Sequence, residues 1–201
     1  VNTPVSKLIT SLAIPTVISM LVTSIYNMAD TFFVSQISTQ ASAAVGVVFP
    51  IMSIIQAFGF TLGMGSGSLI SIRLGQKRNE EANVIVSTAF FTAIGIGFLI
   101  TILGIIFSTQ FLSLVGASNT ILPYAQDYAK YIFFGAPIMT ASFVLNNVLR
   151  SEGKAFFSMI GLTTGGILNI ILDPIFIYVL DLGISGAAIA TLCSQSISFL
   201  I

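Results

Sequence analysis

Apolar residues in this chain come in runs too long for the core of a soluble domain. Six runs reach the ~20 residues that a helix needs to cross a bilayer. They extend from about Lys7 to Val34 with a kink expected at Pro15, Ala43 to Ile72 with Pro50 inside, Asn83 to Phe107, Tyr124 to Leu149 with Pro137 inside, Ala155 to Leu180, and from near Ser185 onwards. Interior proline and glycine are tolerated in membrane helices because neighbouring groups re-satisfy the freed backbone. The pattern predicts an all-α, polytopic membrane protein. Its residues 1–201 form one bundle of six transmembrane helices joined by short loops, with no soluble domain, linker or low-complexity tract.

The breaks between runs differ in character. Arg73 to Glu81 and Arg150 to Lys154 are charged, whereas Ser35 to Ser42 and Ser108 to Pro123 carry no charge. The turn from Leu180 to Gly186 carries only Asp181. Alternating the spans places Lys7, Arg73, Lys77, Arg78, Arg150 and Lys154 on one side and leaves Lys130 on the other. The excess of Lys and Arg in cytoplasmic loops then orients the chain with its N-terminus in the cytoplasm, across the cell membrane. Gln110 to Tyr124 is expected as a short helix or loop at the outer surface.

Composition agrees and narrows the function. The chain is 55% hydrophobic and 7% charged, with a mean hydropathy of +1.02, against about 25% charged residues in a soluble domain. Net charge is zero, so no basic face exists for nucleic acid. The single cysteine, Cys193, excludes an intrachain disulfide and a cysteine-based zinc site, and reads as a small hydrophobe between helices. The first apolar run is too long for the core of a cleavable signal peptide. With a start at Val1 and a stop at Ile201 inside an apolar run, a fragment or a trimmed chain is expected.

Against this background a carboxylate inside an apolar run is expensive. It costs several kcal/mol unless it faces a partner, a cavity or an ion. Asp173 lies in such a run, in the stretch Asn169-Ile-Ile-Leu-Asp-Pro174. Asn169 precedes it by one helical turn and shares its face. Pro174 removes a backbone donor and disfavours helical geometry at Asp173, loosening the helix where an ion or substrate could use freed carbonyls. At 1.5 Å per residue, Asp30 sits about 8 Å from the outer end of the first helix, Asp173 about 11 Å from that of the fifth and Thr191 about 9 Å from that of the sixth. Asn169 lies about 6 Å deeper than Asp173, and Asn27 one turn below Asp30. Three helices thus bring polar groups to one level, where no lysine or arginine is expected to neutralise the acids. Two such carboxylates can share a proton. They can bind a hard cation with Asn and Thr oxygens completing the shell, or meet a cationic substrate. The plainer alternative is that Asp30 only ends the first helix and Asp173 caps a local break at Pro174.

Other polar positions carry less. Gln56, Asn146 and Asn147 could line a cavity or bond between helices. Gly63-Met-Gly-Ser-Gly67 has the look of a phosphate loop, but it follows no strand and sits inside a membrane helix, so close helix packing is the expected role. Most of the phenylalanines are expected to face lipid or core, with a few lining an apolar, drug-sized cavity.

Five stretches resemble the multidrug and toxic compound extrusion (MATE) family of antiporters, in particular its prokaryotic, damage-inducible (DinF-like) branch. They are Asn27-Met-Ala-Asp30-Thr-Phe-Phe-Val, Gly63-Met-Gly-Ser-Gly with the Arg73-Leu-Gly-Gln-Lys-Arg-Asn-Glu-Glu-Ala loop, Leu149-Arg-Ser-Glu-Gly, Leu168-Asn-Ile-Ile-Leu-Asp-Pro, and Gly183-Ile-Ser-Gly-Ala-Ala-Ile-Ala-Thr191. The likeness covers the whole chain as the N-terminal bundle of a family member. It implies twelve helices in two bundles around a central cavity, of which the C-terminal bundle is missing here. It further implies export of organic, often aromatic, cations in exchange for sodium ions or protons, with no cofactor and no enzymatic step. Residue by residue it implies a cation-coupling, sodium-competent site at Asp30, Asn169, Asp173 and Thr191. Two other readings compete. A lipid-linked oligosaccharide flippase of the same superfamily would be expected to carry Arg or Lys inside the bundle, where the interior ionisable groups here are acidic. An intramembrane aspartyl protease would need Tyr-Asp and Gly-x-Gly-Asp motifs, and neither surrounds Asp30 or Asp173.

Overall fold

The computed structural model describes residues 5–201, and the described chain is helical with no strand. Helix α1 is Val5–Ser35, α2 Thr39–Gly75, α3 Asn79–Ile106, α4 the short Ser108–Leu114, α5 Leu122–Ser151, α6 Ala155–Pro174 and α7 Gly183–Leu200. The 6 helices other than α4 are long and apolar enough to cross a membrane. The six expected spans are therefore present, with α4 filling part of the uncharged connection between α3 and α5.

Helix ends depart from the expectation where polar residues prove helical. α3 starts at Asn79, inside the stretch expected as a charged loop. Glu80 and Glu81 in its first turn complement the helix dipole, and Glu81 ties back to Arg73 and Arg78. α2 starts at Thr39 because Ser38 caps it, its hydroxyl accepting from the Ala41 amide at 3.0 Å. At 37 residues α2 is about 55 Å long, well beyond a ~30 Å hydrocarbon core, so its charged end stands clear of the lipid.

Packing is not sequential. α5 is the central helix: it packs along α2, α3 and α7, and its span is the most buried of the set. α1 packs along α6 rather than along α2, its neighbour in sequence, and α6 in turn packs on α7. Two three-helix groups, α2/α3/α5 and α1/α6/α7, meet across α5 and α7. The Gly63 motif is part of the first contact. Gly63 and Gly67 lie against Asn147 and Ser151 of α5, so the glycines serve close packing, as small residues do between membrane helices.

Candidate functional site

Pro174 shapes the local backbone first. It cannot donate to the helix, and the chain leaves α-helical geometry there: Ile175–Val179 forms a π-helical turn, closed by Leu180 N–H on the Ile175 carbonyl at 2.9 Å. Leu182 N–H then reaches the Phe176 carbonyl at 3.2 Å. The expected loosening is present, and it begins two residues beyond Asp173.

Just below this turn the two helices of the second group share a hydrogen-bonded cluster. Asn169 Nδ2 donates to Asp173 Oδ1 on its own helix (3.2 Å) and to Thr191 Oγ1 on α7 (3.3 Å). From α1, Asp30 reaches the same level and accepts a hydrogen bond at Oδ2 from the Tyr128 hydroxyl of α5 (3.2 Å). Asp30 lies within electrostatic range of Asp173, and both carboxylates act on Tyr128. All five side chains are buried: Tyr128 and Asp173 are 0% exposed, Asn169 1%, Thr191 3% and Asp30 7%. One turn below Asp30, Tyr26 is also buried and meets Gln195 of α7 at 3.5 Å.

Tyr128 does not figure among the sequence-derived candidates. A phenol costs little in an apolar run, so composition gives no alarm. Depth does: six residues into α5, it lies about 9 Å below the outer end, level with Asp30. The same arithmetic corrects the expectation that no cation reaches this level. Lys130, eight residues into α5, lies about 12 Å below that end. It is turned away from the cluster, however: its ammonium pairs with Asp127 at 3.3 Å on the exposed face and sits 5.0 Å from the Tyr131 ring centroid.

The cluster is unusual in what it leaves unbonded. Among the described residues four buried side-chain polar atoms have no hydrogen-bond partner, and three of them are Asp30 Oδ1, Asn169 Oδ1 and Asp173 Oδ2. Buried polar groups are normally paired, so unpaired ones mark a place for a water, a proton or an ion. Here all three are oxygens, supplied by two carboxylates and a carboxamide, with the Thr191 hydroxyl oxygen beside them. That donor set suits a hard cation or a proton. No group of three or more His, Cys, Asp or Glu lies together among the described residues, so a transition-metal centre is not what the set resembles.

The remaining candidates fall elsewhere. Gln56, Asn146 and Asn147 line one cavity of about 320 Å³, at a distance from the acidic cluster. Asn27 is half-buried and lines a separate open groove with Met28, Thr31 and Phe32 on the C-terminal half of α1. Cys193 is half-buried on α7.

Comparisons with known proteins bear on the family and the fold. The chain is similar to the multidrug export protein MepA of Staphylococcus haemolyticus (33% identical over 187 residues, covering 92% of this chain and 41% of that protein). It is similar to a protein named FAD transporter from Shewanella oneidensis (33% identical over 197 residues, 96% of this chain and 44% of that one). Among solved structures, a MOP superfamily transporter from Pyrococcus furiosus superposes with a TM-score of 0.91 at 37% identity, over 96% of this chain and 43% of its own. The chain thus spans less than half the length of the relatives it matches. The MatE family itself matches residues 15–175, and with six apolar helices around a buried acidic cluster the chain belongs to the MATE family of membrane transporters.

Proposed function

We propose that this bundle is the N-terminal, cation-coupling half of a multidrug efflux antiporter. It exports organic cations from the cell in exchange for sodium ions or protons, and lies in the cell membrane with its N-terminus in the cytoplasm. The observation that carries the reading is the concentration of partnerless buried oxygens at Asp30, Asn169 and Asp173. In a low-dielectric bundle such oxygens hold a cation or a proton, or they leave the site unstable. Loading and unloading that charge beside the π-helical turn gives the two states of a transporter different affinities for the ion, which alternating access requires. The second bundle, present in the longer relatives, completes the cavity for the exported compound.

The test is efflux from proteoliposomes holding the full-length transporter under an imposed sodium or proton gradient. Asp173→Asn keeps the shape of the side chain but can neither gain a proton nor balance a cation. Gradient-driven efflux is expected to vanish while the protein remains folded and inserted. Asp30→Asn is expected to impair efflux as well. Thr191→Ala weakens sodium coupling specifically if sodium is the ion, because it removes an oxygen ligand. Wild-type efflux in Asp173→Asn would place the coupling site in the other bundle.

A further inference from the structure

Toward its charged-loop end the bundle has a cavity with a cation, rather than acids, in its wall. The cavity of about 320 Å³ between α1, α2 and α5 is lined by Gln56 and Phe60 of α2 and by Phe143, Asn146, Asn147 and Arg150 of α5, among others. Arg150 is half-buried, and its guanidinium makes no hydrogen bond or ion pair with any described residue. Of the other cations at this end, Arg73 and Arg78 pair with Glu81, and Lys154 with Glu152 at 2.8 Å. Glu152, two residues from Arg150, is therefore already engaged. Asn146 is fixed as wall, its Oδ1 accepting from Ser158 Oγ and its Nδ2 donating to the Ser142 carbonyl, both at 2.8 Å. The Gln56 carboxamide and the Arg150 guanidinium remain uncommitted, beside the Phe60 and Phe143 rings, whose centroids are 4.8 Å apart. The acidic cluster is remote: Tyr128 and Arg150 stand 22 residues apart on one helix, about 33 Å.

We infer that this cavity binds an aromatic carboxylate, held by Arg150 through its guanidinium fork and by Phe60 and Phe143 through ring contact. The planar fork matches a carboxylate with two parallel hydrogen bonds, and it is the strongest form of charge-assisted recognition available to a side chain. The aromatic walls favour a flat body, and the volume, at the lower end of the range for small-molecule pockets, admits one of about two fused rings. The inference does not rest on the acidic cluster or on its role in coupling.

The experiment compares naphthalene-2-carboxylate with naphthalene-2-carboxamide, which share shape and differ in charge. Their binding to the intact protein in nanodiscs of zwitterionic lipid is measured by calorimetry. The carboxylate is expected to bind about tenfold tighter or more, the contribution of a hydrogen bond to a charged group. Arg150→Gln is expected to bring the two affinities together, while Asp173→Asn leaves the preference unchanged. A failure of the coupling site and a failure of this one are thereby distinguishable. Equal affinities in the wild type, or a preference that survives Arg150→Gln, overturns the inference. Should Arg150→Gln not fold, phenylglyoxal modification of Arg150 in the unaltered protein decides. Protection by the carboxylate but not by the amide supports the site, and equal modification overturns it. Phosphatidylglycerol added to the nanodiscs is expected to leave the preference intact; its loss would mean that a lipid headgroup occupies the guanidinium instead.

Discussion

Asn169 organises the acidic cluster through one nitrogen. Its two amide protons go to Asp173 and Thr191, which fixes the orientation of the carboxamide and commits Oδ1 to the acceptor set. Asp30 is held differently, by a phenol from another helix group. That contact is measurable as a coupling energy. In a thermodynamic cycle of Asp30→Asn, Tyr128→Phe and the double substitution, thermal unfolding in detergent is expected to show a coupling of about 0.6 kcal/mol, the average for hydrogen bonds between membrane helices, and no more than about 1.7 kcal/mol. A coupling of zero means the phenol and the carboxylate do not meet in the folded protein. Asp30, Asn169, Asp173 and Thr191 were legible in the sequence because a polar group in an apolar run is costly, and because helical rise converts sequence position into depth. Tyr128 was not, because nothing about a tyrosine in an apolar run is costly. Lys130 was overlooked although helical rise brings it to the same level; what keeps it from the acids is its place on the exposed face of α5, paired with Asp127, which depth does not reveal.

At the scale of the element, the π-helical turn after Pro174 is held from two sides. Tyr178 within it donates its hydroxyl to the Phe33 carbonyl of α1 at 2.7 Å. The first turn of α7 packs against its backbone at Gly186, where an added Cβ would stand 2.6 Å from the Phe176 carbonyl oxygen. Backbone cannot yield as a flexible side chain can. Gly186→Ala is therefore expected to destabilise the bundle by about 1–3 kcal/mol, the usual cost of overpacking. Gly46→Ala, at an exposed position of α2 with open space around it, is expected to be neutral or slightly stabilising. Equal melting temperatures for the two variants would mean that α7 does not press on the turn. The sequence announced a break at Pro174 but not its form, since the apolar run continues unbroken to Leu180. It also hid the start of α3, where the acids that favour a helix N-terminus resemble a loop when only hydropathy is read.

The whole molecule has two unlike ends. One carries Lys7, the Arg73–Glu81 and Arg78–Glu81 pairs, Arg150 and Lys154; the other carries Asp127, Lys130 and Asp181. With Cys193 replaced by alanine, single cysteines at Gln76 and Gly153 are expected to be labelled only from the cytoplasm, and one at Ser38 only from outside. Labelling of position 76 from outside intact cells would reverse the orientation. The number of spans and the alternation of their loops were legible because both are written in hydropathy and charge. Helix pairing was not. Whether α1 lies on α2 or on α6 depends on which surfaces interlock, such as the glycine face of α2 against α5, and that is a property of two segments together.

The pairing of α1 with α6 also sets the order in which the protein can be built. Asp30 and its partner Tyr128 are separated by 98 residues. At typical ribosomal speeds of about 5–20 residues per second, Asp30 is made roughly 5–20 s before the phenol that satisfies it. Asn169 and Asp173 arrive later still. During that interval Asp30 lacks its phenol donor, and α2, next to α1 in sequence, offers it little contact. The main packing partner of α1 exists only once α6 has been made.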